Sequence, residues 1–454
     1  MKRSIRILVV LGLLMAFVMV FTACGSQNGP APSAGGNQTT TASGQKVVEL
    51  TMWQQWGNGH EKEVLDSIIK DFEKENPNIK INEIAFKAED NPKILTSIAG
   101  GNPPDILDLQ TTAVIGEWAA KGALTPLNEY IDRDKVDKNK FIPASWNSVT
   151  YKDQIYAMPF VAFNEGLLWN KKMFREAGLD PEKPPKTFDE MIEFNKRLTK
   201  VDADGKITQM GFIPNWPVSH LYSSLGWQTG AGFFNAAENK TTVNEPAIVQ
   251  ALQWERKFYN GYNPQKVQNF VSSSGEYLTA QDLFESGKLA ICIDGSWVIR
   301  FIQENIPELA PDIGAAYIPT PANHPERYGT SFIDVNPQII PKGAKHPDEA
   351  WKFIKWETTD PDLASKFADL VANVPQIIGA PTTELLKDAR FKVFIDLASS
   401  EKAKVFPVLP ISNEYITKIT DLENRILLDP KLNIKGELDK LNDELNTSLT
   451  QSSK

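Results

Sequence analysis

Short apolar segments and amphipathic segments alternate along the chain once the N-terminal region is passed. The segments 47–53 (VVELTMW) and 79–84 (IKINEI) have the β-branched content and the alternation that are typical of strands. Between them, apolar residues at helical spacing predict a helix over 60–75. Its apolar face is made of Val64, Leu65, Ile68, Ile69 and Phe72. A helix over 94–99 and a strand over 103–109 follow, and this order is typical of a wound, largely parallel α/β sheet.

A second series of elements begins after the hairpin-like segment 151–160 (YKDQIYAMPF). Thr187 and Glu190 have the spacing of a capping box, which predicts a helix over 188–198. An aromatic and apolar pattern predicts another helix that begins after Pro347. About 410 residues follow the N-terminal region, which is too many for one hydrophobic core, so we expect two α/β domains.

The N-terminus has the layout of a secretory signal. Three basic residues precede an apolar run from Ile7 to Phe21, and this run is shorter than the about 20 residues that a membrane-spanning helix needs. The next residues end in Cys24, and Phe21-Thr22-Ala23-Cys24 resembles the lipobox of bacterial lipoproteins. That resemblance implies cleavage before Cys24 and acylation of its sulfur, which would hold the protein on a membrane. The alternative is an ordinary secretory signal followed by an incidental cysteine.

The residues after this cysteine are almost all small or polar. They cannot bury enough apolar surface to fold, so 24–45 is predicted to be a lipidated cysteine with a flexible tether. The predicted signal peptide is 1–23.

Composition narrows the class of protein. The formal net charge of −9 argues against a nucleic-acid partner, and a hydrophobic content of 41% fits a soluble globular body. Cys292 is the only cysteine besides Cys24, and it lies in the apolar segment LAICID, which favours a small core residue without a disulfide. Four scattered histidines provide no transition-metal spacing, so no metal site and no cofactor are expected.

Several segments, taken in order, resemble the oligosaccharide-binding (family 1) extracellular solute-binding proteins of ABC importers. The resemblance extends from about Glu49 to at least Trp356. The segments are ELTMWQQWGNGHEKEVLDSIIKDFEKENPNIKI, GGNPPDIL, YKDQIYAMPF with LLWNKKMFREAGLDPEKPPKTFDEM, FESGKLAICIDGSWVI, and IIPKGAKHPDEAWKFIKW.

This resemblance implies a two-lobed, periplasmic-binding-protein-like (type II) α/β fold with a hinge and an interlobe cleft. The first lobe is expected to be 46–157 plus 318–345, and the second lobe 158–317 plus 346–454. The implied function is that of a monomeric, extracytoplasmic, lipid-anchored receptor. It would bind an oligosaccharide in the cleft and deliver it to the transmembrane permease subunits of the ABC importer, without acting as an enzyme.

Tryptophans divide into two groups by their neighbours in the sequence. Trp118, Trp254, Trp351 and Trp356 lie in helical apolar patterns, which favours the core. The second group adjoins Gly, Asn, Pro or Asp at predicted strand ends and loops, where the cleft of an α/β lobe lies. It consists of Trp53, Trp56, Trp169, Trp216, Trp227 and Trp297. A sugar ring suits an aromatic plane flanked by amide and carboxylate groups.

Together with the resemblance, this pattern predicts a set of ligand-binding residues. The set is Trp53, Gln54, Trp56, Gly57, His60, Glu61, Thr111, Thr112, Phe163, Asn164, Glu165, Trp216, Trp227, Gly230, Asp294, Gly295, Ser296 and Trp297. The resemblance implies that Trp297 stacks on a sugar. The alternative for that motif is a strand-to-helix turn whose tryptophan packs inward, and the alternatives for the others are loop packing and turn glycines.

Two further function classes stay open from the sequence. A surface glycoside hydrolase or polysaccharide lyase needs paired carboxylates, but Asp105 and Asp108 are three apart on a predicted strand and point to opposite faces. The second class keeps the same fold but binds a polyol, a phosphorylated glycerol compound or another polar solute, although the aromatic loops argue against small anions.

The segment from Asp202 to Gly205 opens like a calcium loop but lacks the later ligands, which favours a hairpin turn.

Overall fold

The computed structural model describes residues 46–57, 60–87, 90–259 and 261–452. The predicted signal peptide, Cys24 and the tether up to residue 45 lie outside the described residues. Within the part of the chain that is described, no helix is both long enough and apolar enough to cross a bilayer.

Strands and helices alternate through most of the chain. The strands are β1 (Val48–Gln54), β2 (Ile79–Ala85), β3 (Ile106–Asp108), β4 (Thr150–Tyr151), β5 (Gln154–Ile155), β6 (Met158–Asn164), β7 (Gly166–Asn170), β8 (Lys200–Val201), β9 (Ile207–Gln209), β10 (Phe234–Asn235), β11 (Lys240–Thr241), β12 (Ile291–Asp294), β13 (Ile313–Ala316), β14 (Ser331–Ile339), β15 (Val374–Pro375) and β16 (Ala403–Lys404). The α-helices are α1 (His60–Glu75), α2 (Asn91–Ala99), α3 (Ile115–Ala120), α4 (Asn128–Arg133), α5 (Pro143–Ser148), α6 (Lys171–Glu176), α7 (Phe188–Leu198), α8 (Gly226–Thr229), α9 (Pro246–Tyr259), α10 (Pro264–Val271), α11 (Trp297–Asn305), α12 (Pro347–Thr359), α13 (Pro361–Leu370), α14 (Ala389–Ala398), α15 (Ser412–Leu428) and α16 (Ile434–Ser452). A π-helical turn covers Leu221–Leu225, and 3₁₀ turns cover Lys138–Lys140, Ala310–Asp312, Pro325–Arg327 and Leu385–Lys387.

The larger sheet has the strand order β15-β6-β14-β3-β1-β2, and β16 also pairs with β14. Strand β1 is parallel to both β2 and β3, as the sequence predicts for the first part of the chain. Strand β14 returns from far along the chain and pairs antiparallel with both β3 and β6. Its nine residues are all buried, which fits a strand that is covered on both faces.

A smaller sheet has the order β12-β7-β13, with β7 antiparallel to both neighbours. Glu165 alone separates β6 in the larger sheet from β7 in the smaller one. The chain returns to the larger sheet through the segment between β13 and β14. Glu165 therefore marks one of the places where the chain passes from one sheet to the other.

Local signals in the sequence locate several elements well. The helix predicted over 60–75 is α1, and the capping box predicted at Thr187 and Glu190 is present at the start of α7. Helix α2 begins earlier than predicted, with a proline in its first turn, a position that tolerates the missing N–H. Strand β3 is shorter than the predicted 103–109, since the larger sheet pairs it with β1 only over Ile106–Asp108.

The tryptophans expected in the core are placed there or against it. Trp118, Trp254 and Trp351 are buried, and Trp356 is half-buried beside Phe72, with a ring-centroid distance of 5.3 Å. Cys292 is a buried free thiol in β12. A separate group of apolar residues packs α9, α15 and α16 together and continues toward Phe332 and Phe406.

Candidate ligand-binding site

A cavity of about 320 Å³ lies where the larger sheet meets the C-terminal helical region. Thr111 and Thr112 follow β3, Phe163 comes from β6, and Asp334 comes from β14. Its other lining residues are Ala113, Ser148, Tyr222, Phe332, Ile333, Phe406, Pro407, Val408, Ser412, Asn413 and Ile416. Three of the residues predicted from the sequence, Thr111, Thr112 and Phe163, therefore lie together in one concave site.

Asp334 organises the polar side of this cavity. The Thr111 hydroxyl donates to Asp334 Oδ2 at 2.8 Å, and the Thr112 hydroxyl donates to Oδ1 at 2.5 Å. The Val335 N–H also donates to Oδ1, at 2.8 Å. Burial raises the pKa of Asp334, although these hydrogen bonds oppose the shift. The Thr111 oxygen accepts from the Ala113 N–H at 3.2 Å and keeps its second lone pair, so it can accept one hydrogen bond from a hydroxyl in the cavity.

Aromatic rings form the apolar side of the cavity. Tyr222 lies edge-on to Phe332 at a centroid distance of 6.3 Å and to Phe406 at 6.0 Å. Phe163 makes a similar contact with Phe332 at 6.5 Å. Among the described residues that line the cavity, Asp334 is the single charged one and none is Lys or Arg. Such a site suits a ligand with apolar faces and a hydroxyl edge.

The predicted motif at the end of β12 lies next to this cavity but does not line it. Asp294 is buried and accepts hydrogen bonds from the Gly295 N–H at 2.7 Å and the Tyr277 hydroxyl at 2.9 Å. Burial raises the pKa of Asp294 to about 7. The Ser296 hydroxyl donates to the Ala372 carbonyl at 2.6 Å. Trp297 begins α11, is half-buried, and lies 6.2 Å from Phe163 between ring centroids, so Phe163 connects the motif with the cavity.

The loop after β1 is turned inward. Trp56 is buried, and its indole N–H donates to Asp108 Oδ2 at 2.8 Å. Burial raises the pKa of that carboxyl to about 7. The Gln54 amide donates to Glu83 at 3.0 Å, and Trp53 packs against Phe86 with a centroid distance of 6.3 Å.

The last residues of the same predicted group continue this loop into α1. Gly57 has a φ of 70°, which suits glycine, and Glu61 is exposed in the first turn of α1. His60 begins that helix. The structure does not bring Trp53, Gln54, Trp56, Gly57 or Glu61 into the lining of the cavity.

Glu165 and Asn164 hold the place where the chain changes sheets. The Asn164 amide donates to the Phe394 carbonyl at 2.9 Å. The carboxylate of Glu165 accepts from the Ser223 hydroxyl at 2.9 Å and from the Ser224 hydroxyl, and it lies 3.4 Å from His220 Nδ1. Both residues are therefore used in packing the crossing rather than in lining the cavity.

His220 is a buried histidine beside this carboxylate. Burial alone lowers the pKa of its imidazole, but the charge and hydrogen bond of Glu165, together with the Trp216 carbonyl and Glu423, raise the net pKa above its ordinary value. Protonated His220 is thus stabilised by Glu165 inside the protein.

The predicted residues Trp216, Trp227 and Gly230 lie before and after the π-helical turn that carries Tyr222. Trp216 is buried, and its carbonyl lies 3.2 Å from His220 Nε2. The Trp227 indole donates to the Tyr222 carbonyl at 2.9 Å. Gly230 has a φ of 92° at the end of α8, and an added Cβ would lie 2.6 Å from the Arg327 guanidinium. Trp227 therefore supports the aromatic side of the cavity through Tyr222, and none of the three residues lines the cavity.

Several lining residues were not predicted from the sequence. Asp334 could have been found, because a lone carboxylate in the apolar strand segment SFIDVN is unusual for a buried strand. Tyr222, Phe332 and Phe406 come from three distant segments and have no local signal that separates them from core aromatics. Tyr277 was also missed, since its contact with Trp297 depends on the loop that carries it.

The chain matches a protein family and is similar to known sugar-binding proteins. A family model described as bacterial extracellular solute-binding protein matches residues 56–362. The maltotriose-binding protein of Pyrococcus abyssi is 25% identical over 395 residues, which cover 85% of this chain and 79% of that protein. The solved structure of CpMnBP1 with mannotriose bound has a TM-score of 0.77 at 30% identity, covering 87% of this chain and 99% of that chain.

A more distant solved structure shares the fold. The sugar-binding protein MalE from Xanthomonas citri has a TM-score of 0.72 at 21% identity, covering 89% of this chain and 98% of that chain. These likenesses confirm the predicted two-lobed, type II α/β fold.

Proposed function

The chain belongs to the bacterial extracellular solute-binding proteins, and from that premise we propose that it binds a neutral oligosaccharide and delivers it to an ABC-type sugar import permease. The cavity is the observation that carries this proposal. It brings Phe163, Tyr222 and Phe332 together with the hydroxyls of Thr111 and Thr112 in one cavity, and a sugar presents an apolar ring face and a polar edge to such a site. The names of the similar proteins, a maltotriose-binding protein and CpMnBP1 with mannotriose bound, support the same ligand class.

The charge of the cavity supports a neutral ligand over an anionic one. Of the described residues that line it, Asp334 is the one charged residue, and both of its carboxylate oxygens already accept hydrogen bonds from the two threonines. A phosphorylated solute would enter without a cationic partner and close to a buried carboxylate, which is unfavourable in a low-dielectric site.

A hydrolase or lyase is the less favoured alternative. Hydrolysis of a glycosidic bond uses two carboxyl groups that flank the bond, whereas the cavity offers Asp334 alone. Asp105 accepts from the Thr51 N–H at 2.9 Å and from the Lys345 N–H at 3.1 Å, so it secures a turn of the larger sheet. Asp108 faces the Trp56 indole, so these two carboxylates do not converge on one cavity.

Release to a permease requires a state that holds the ligand and a state that frees it. We expect the lobes predicted from the sequence, 46–157 plus 318–345 and 158–317 plus 346–454, to close around the sugar. Closure is favoured by the difference in affinity between the two states. The crossing at Glu165 is a candidate hinge, because one residue there separates strands of different sheets.

We place the protein as a monomer on the extracytoplasmic face of the cell membrane, held by acylated Cys24 and a tether. The sequence pattern around Cys24 supports this location. In a bacterial host, the Cys24→Ala variant is expected to lose acyl labelling and to move to the detergent-free fraction. Acyl labelling that persists in this variant would contradict the anchor.

A thermal-shift screen tests the function. The panel contains mannotriose, maltotriose, their monosaccharides and, as the anionic control, glycerol 3-phosphate. A neutral trisaccharide at 100 times its dissociation constant should stabilise the folded state by about 2.7 kcal/mol. Chromatography after long incubation should return the sugar intact, and shortened or unsaturated products would support the enzyme alternative. A shift with glycerol 3-phosphate alone would contradict the neutral ligand.

A further inference from the structure

Tyr277 lies in an irregular segment between α10 and β12, and the residue is 44% exposed. The next residue, Leu278, has a φ of 54°, a left-handed conformation that is costly for a residue with a Cβ. The turn is closed by hydrogen bonds from Gly275 N–H to the Gln281 carbonyl at 3.0 Å and from the Thr279 hydroxyl to the Glu276 carbonyl at 2.7 Å. This strained turn holds the tyrosine at one place on the surface.

The Tyr277 hydroxyl links two residues of the motif at the end of β12. The Trp297 indole N–H donates to the hydroxyl oxygen at 2.5 Å, and the hydroxyl donates to Asp294 Oδ1 at 2.9 Å. Asp294 is buried and is fixed by the Gly295 N–H. The indole, phenol and carboxylate therefore form one directional chain of hydrogen bonds that ends on a rigid acceptor.

Two other contacts restrict the Trp297 ring. A Cβ added to Gly295 would lie 2.0 Å from a ring atom of Trp297, so the ring lies directly on the backbone at this glycine. Phe163 meets the ring edge at an interplanar angle of 70°. With one face against Gly295 and the N–H held by Tyr277, the ring has one defined orientation.

We propose that Tyr277 is a positioning residue that orients the Trp297 ring for stacking on a sugar unit next to the cavity, an inference that rests on the proposed function. A ring that is already oriented loses less conformational entropy when the ligand binds. The extended site would then accept a ligand of more than one sugar unit, with one unit in the cavity and another on Trp297.

The experiment is a double-mutant cycle with Tyr277→Phe and Trp297→Phe, read by calorimetric titration with mannotriose and maltotriose. Tyr277→Phe removes only the hydroxyl, so we expect about fivefold weaker binding of whichever trisaccharide the wild type binds more tightly. In the Trp297→Phe background, which has no indole N–H, the same change should have no further effect. Tyr262→Phe is the control, because Tyr262 is a half-buried tyrosine between α9 and α10, and this variant should bind normally.

Each other outcome overturns a different statement. If Tyr277→Phe lowers the affinity equally in the wild type and in Trp297→Phe, Tyr277 contacts the sugar itself. If it lowers the affinity in neither, Tyr277 does not position Trp297 for binding. A wild type that binds neither trisaccharide would contradict the proposed function and the stacking role with it. The Trp297 indole N–H resonance, measured without sugar, reads the positioning separately: an unchanged resonance in Tyr277→Phe would overturn it.

Discussion

The Glu165 carboxylate accepts a hydrogen bond from the Ser223 hydroxyl at 2.9 Å, so the crossing between the two sheets is tied to the π-helical turn that carries Tyr222. The Ser224 hydroxyl and His220 Nδ1 approach the same carboxylate. A single side chain at the candidate hinge thus fixes one edge of the aromatic side of the cavity.

Removal of this carboxylate should destabilise the protein. Glu165→Ala leaves two serine hydroxyls and a buried imidazole without their acceptor, so we expect the free energy of unfolding to fall by about 2 to 4 kcal/mol. Urea denaturation followed by circular dichroism measures the change. Glu193→Ala is the matched control, because the Glu193 side chain is 65% exposed and pairs with Lys196 on the surface. A loss no larger than that of the control would contradict a structural role for Glu165.

Two tryptophans should separate binding from stability. Trp254 is stacked on Phe188 at a centroid distance of 3.8 Å, so Trp254→Ala should lower the free energy of unfolding by about 3 to 5 kcal/mol while the folded protein binds normally. Trp297→Ala should weaken binding of the trisaccharide at least about tenfold and reduce stability less. Calorimetric titration and melting without sugar give both quantities. Normal binding by Trp297→Ala would show that the segment from Asp294 to Trp297 is a packed turn and not part of the binding site.

The threonine pair at the cavity offers a finer comparison. Thr111 is half-buried, whereas Thr112 is buried against Asp334. Thr111→Val should therefore weaken trisaccharide binding about fivefold. It also removes a donor to Asp334 Oδ2, so we expect a lower melting temperature, but a smaller decrease than in Thr112→Val. Thr112→Val should lower the free energy of unfolding by about 1 to 3 kcal/mol, because Asp334 Oδ1 loses a donor. Unchanged binding by Thr111→Val would indicate that the ligand binds outside this cavity.

Stability should decrease as the pH rises from about 5 to 9. Burial raises the pKa of Asp108, Asp294 and Glu423 to about 7 and that of Glu285 to about 9. In the unfolded chain these carboxyl groups lose their protons near pH 4. The folded state therefore binds more protons in this window, and its advantage is lost as the pH rises through the folded pKa values. Melting temperatures at pH 5, 7 and 9 test this, and an increase across the series would contradict it.

One substitution tests the contribution of a single buried carboxyl group to this pH dependence of stability. Glu255 is fully buried and faces Glu423, and burial together with the Glu423 carboxyl raises the pKa of Glu255 well above its ordinary value. Glu255→Gln removes the need to keep a proton there, so it should stabilise the protein at pH 8 and have little effect at pH 5. Equal effects at both pH values would show that packing, not protonation, dominates.

Much of the fold could be predicted because its signals are local. The apolar face of α1 and the capping box of α7 depend on residues within a few positions of each other, and both appear as expected. The position of β14 between β3 and β6 could not be derived from periodicity, since pairing with strands so distant in sequence leaves no local pattern.

In the candidate site, too, some residues could be predicted from local sequence and others depend on distant partners. Thr111, Thr112 and Phe163 follow or end strands of the larger sheet, where an α/β fold forms its cleft, and they line the cavity. Trp56 also follows a strand of the larger sheet, but its side chain turns inward. Its indole N–H donates to Asp108, because a buried carboxylate needs a hydrogen-bond donor. Side-chain direction at a strand end depends on such distant partners.

The pairing of β3 with β14 also affects how the protein folds after export. Thr111 and Asp334, which meet beside these strands, are 223 residues apart in the chain. Until β14 has crossed the membrane, β3 has an open edge that can pair with another chain. A chaperone that binds the exported segment during this interval should therefore raise the yield of folded protein.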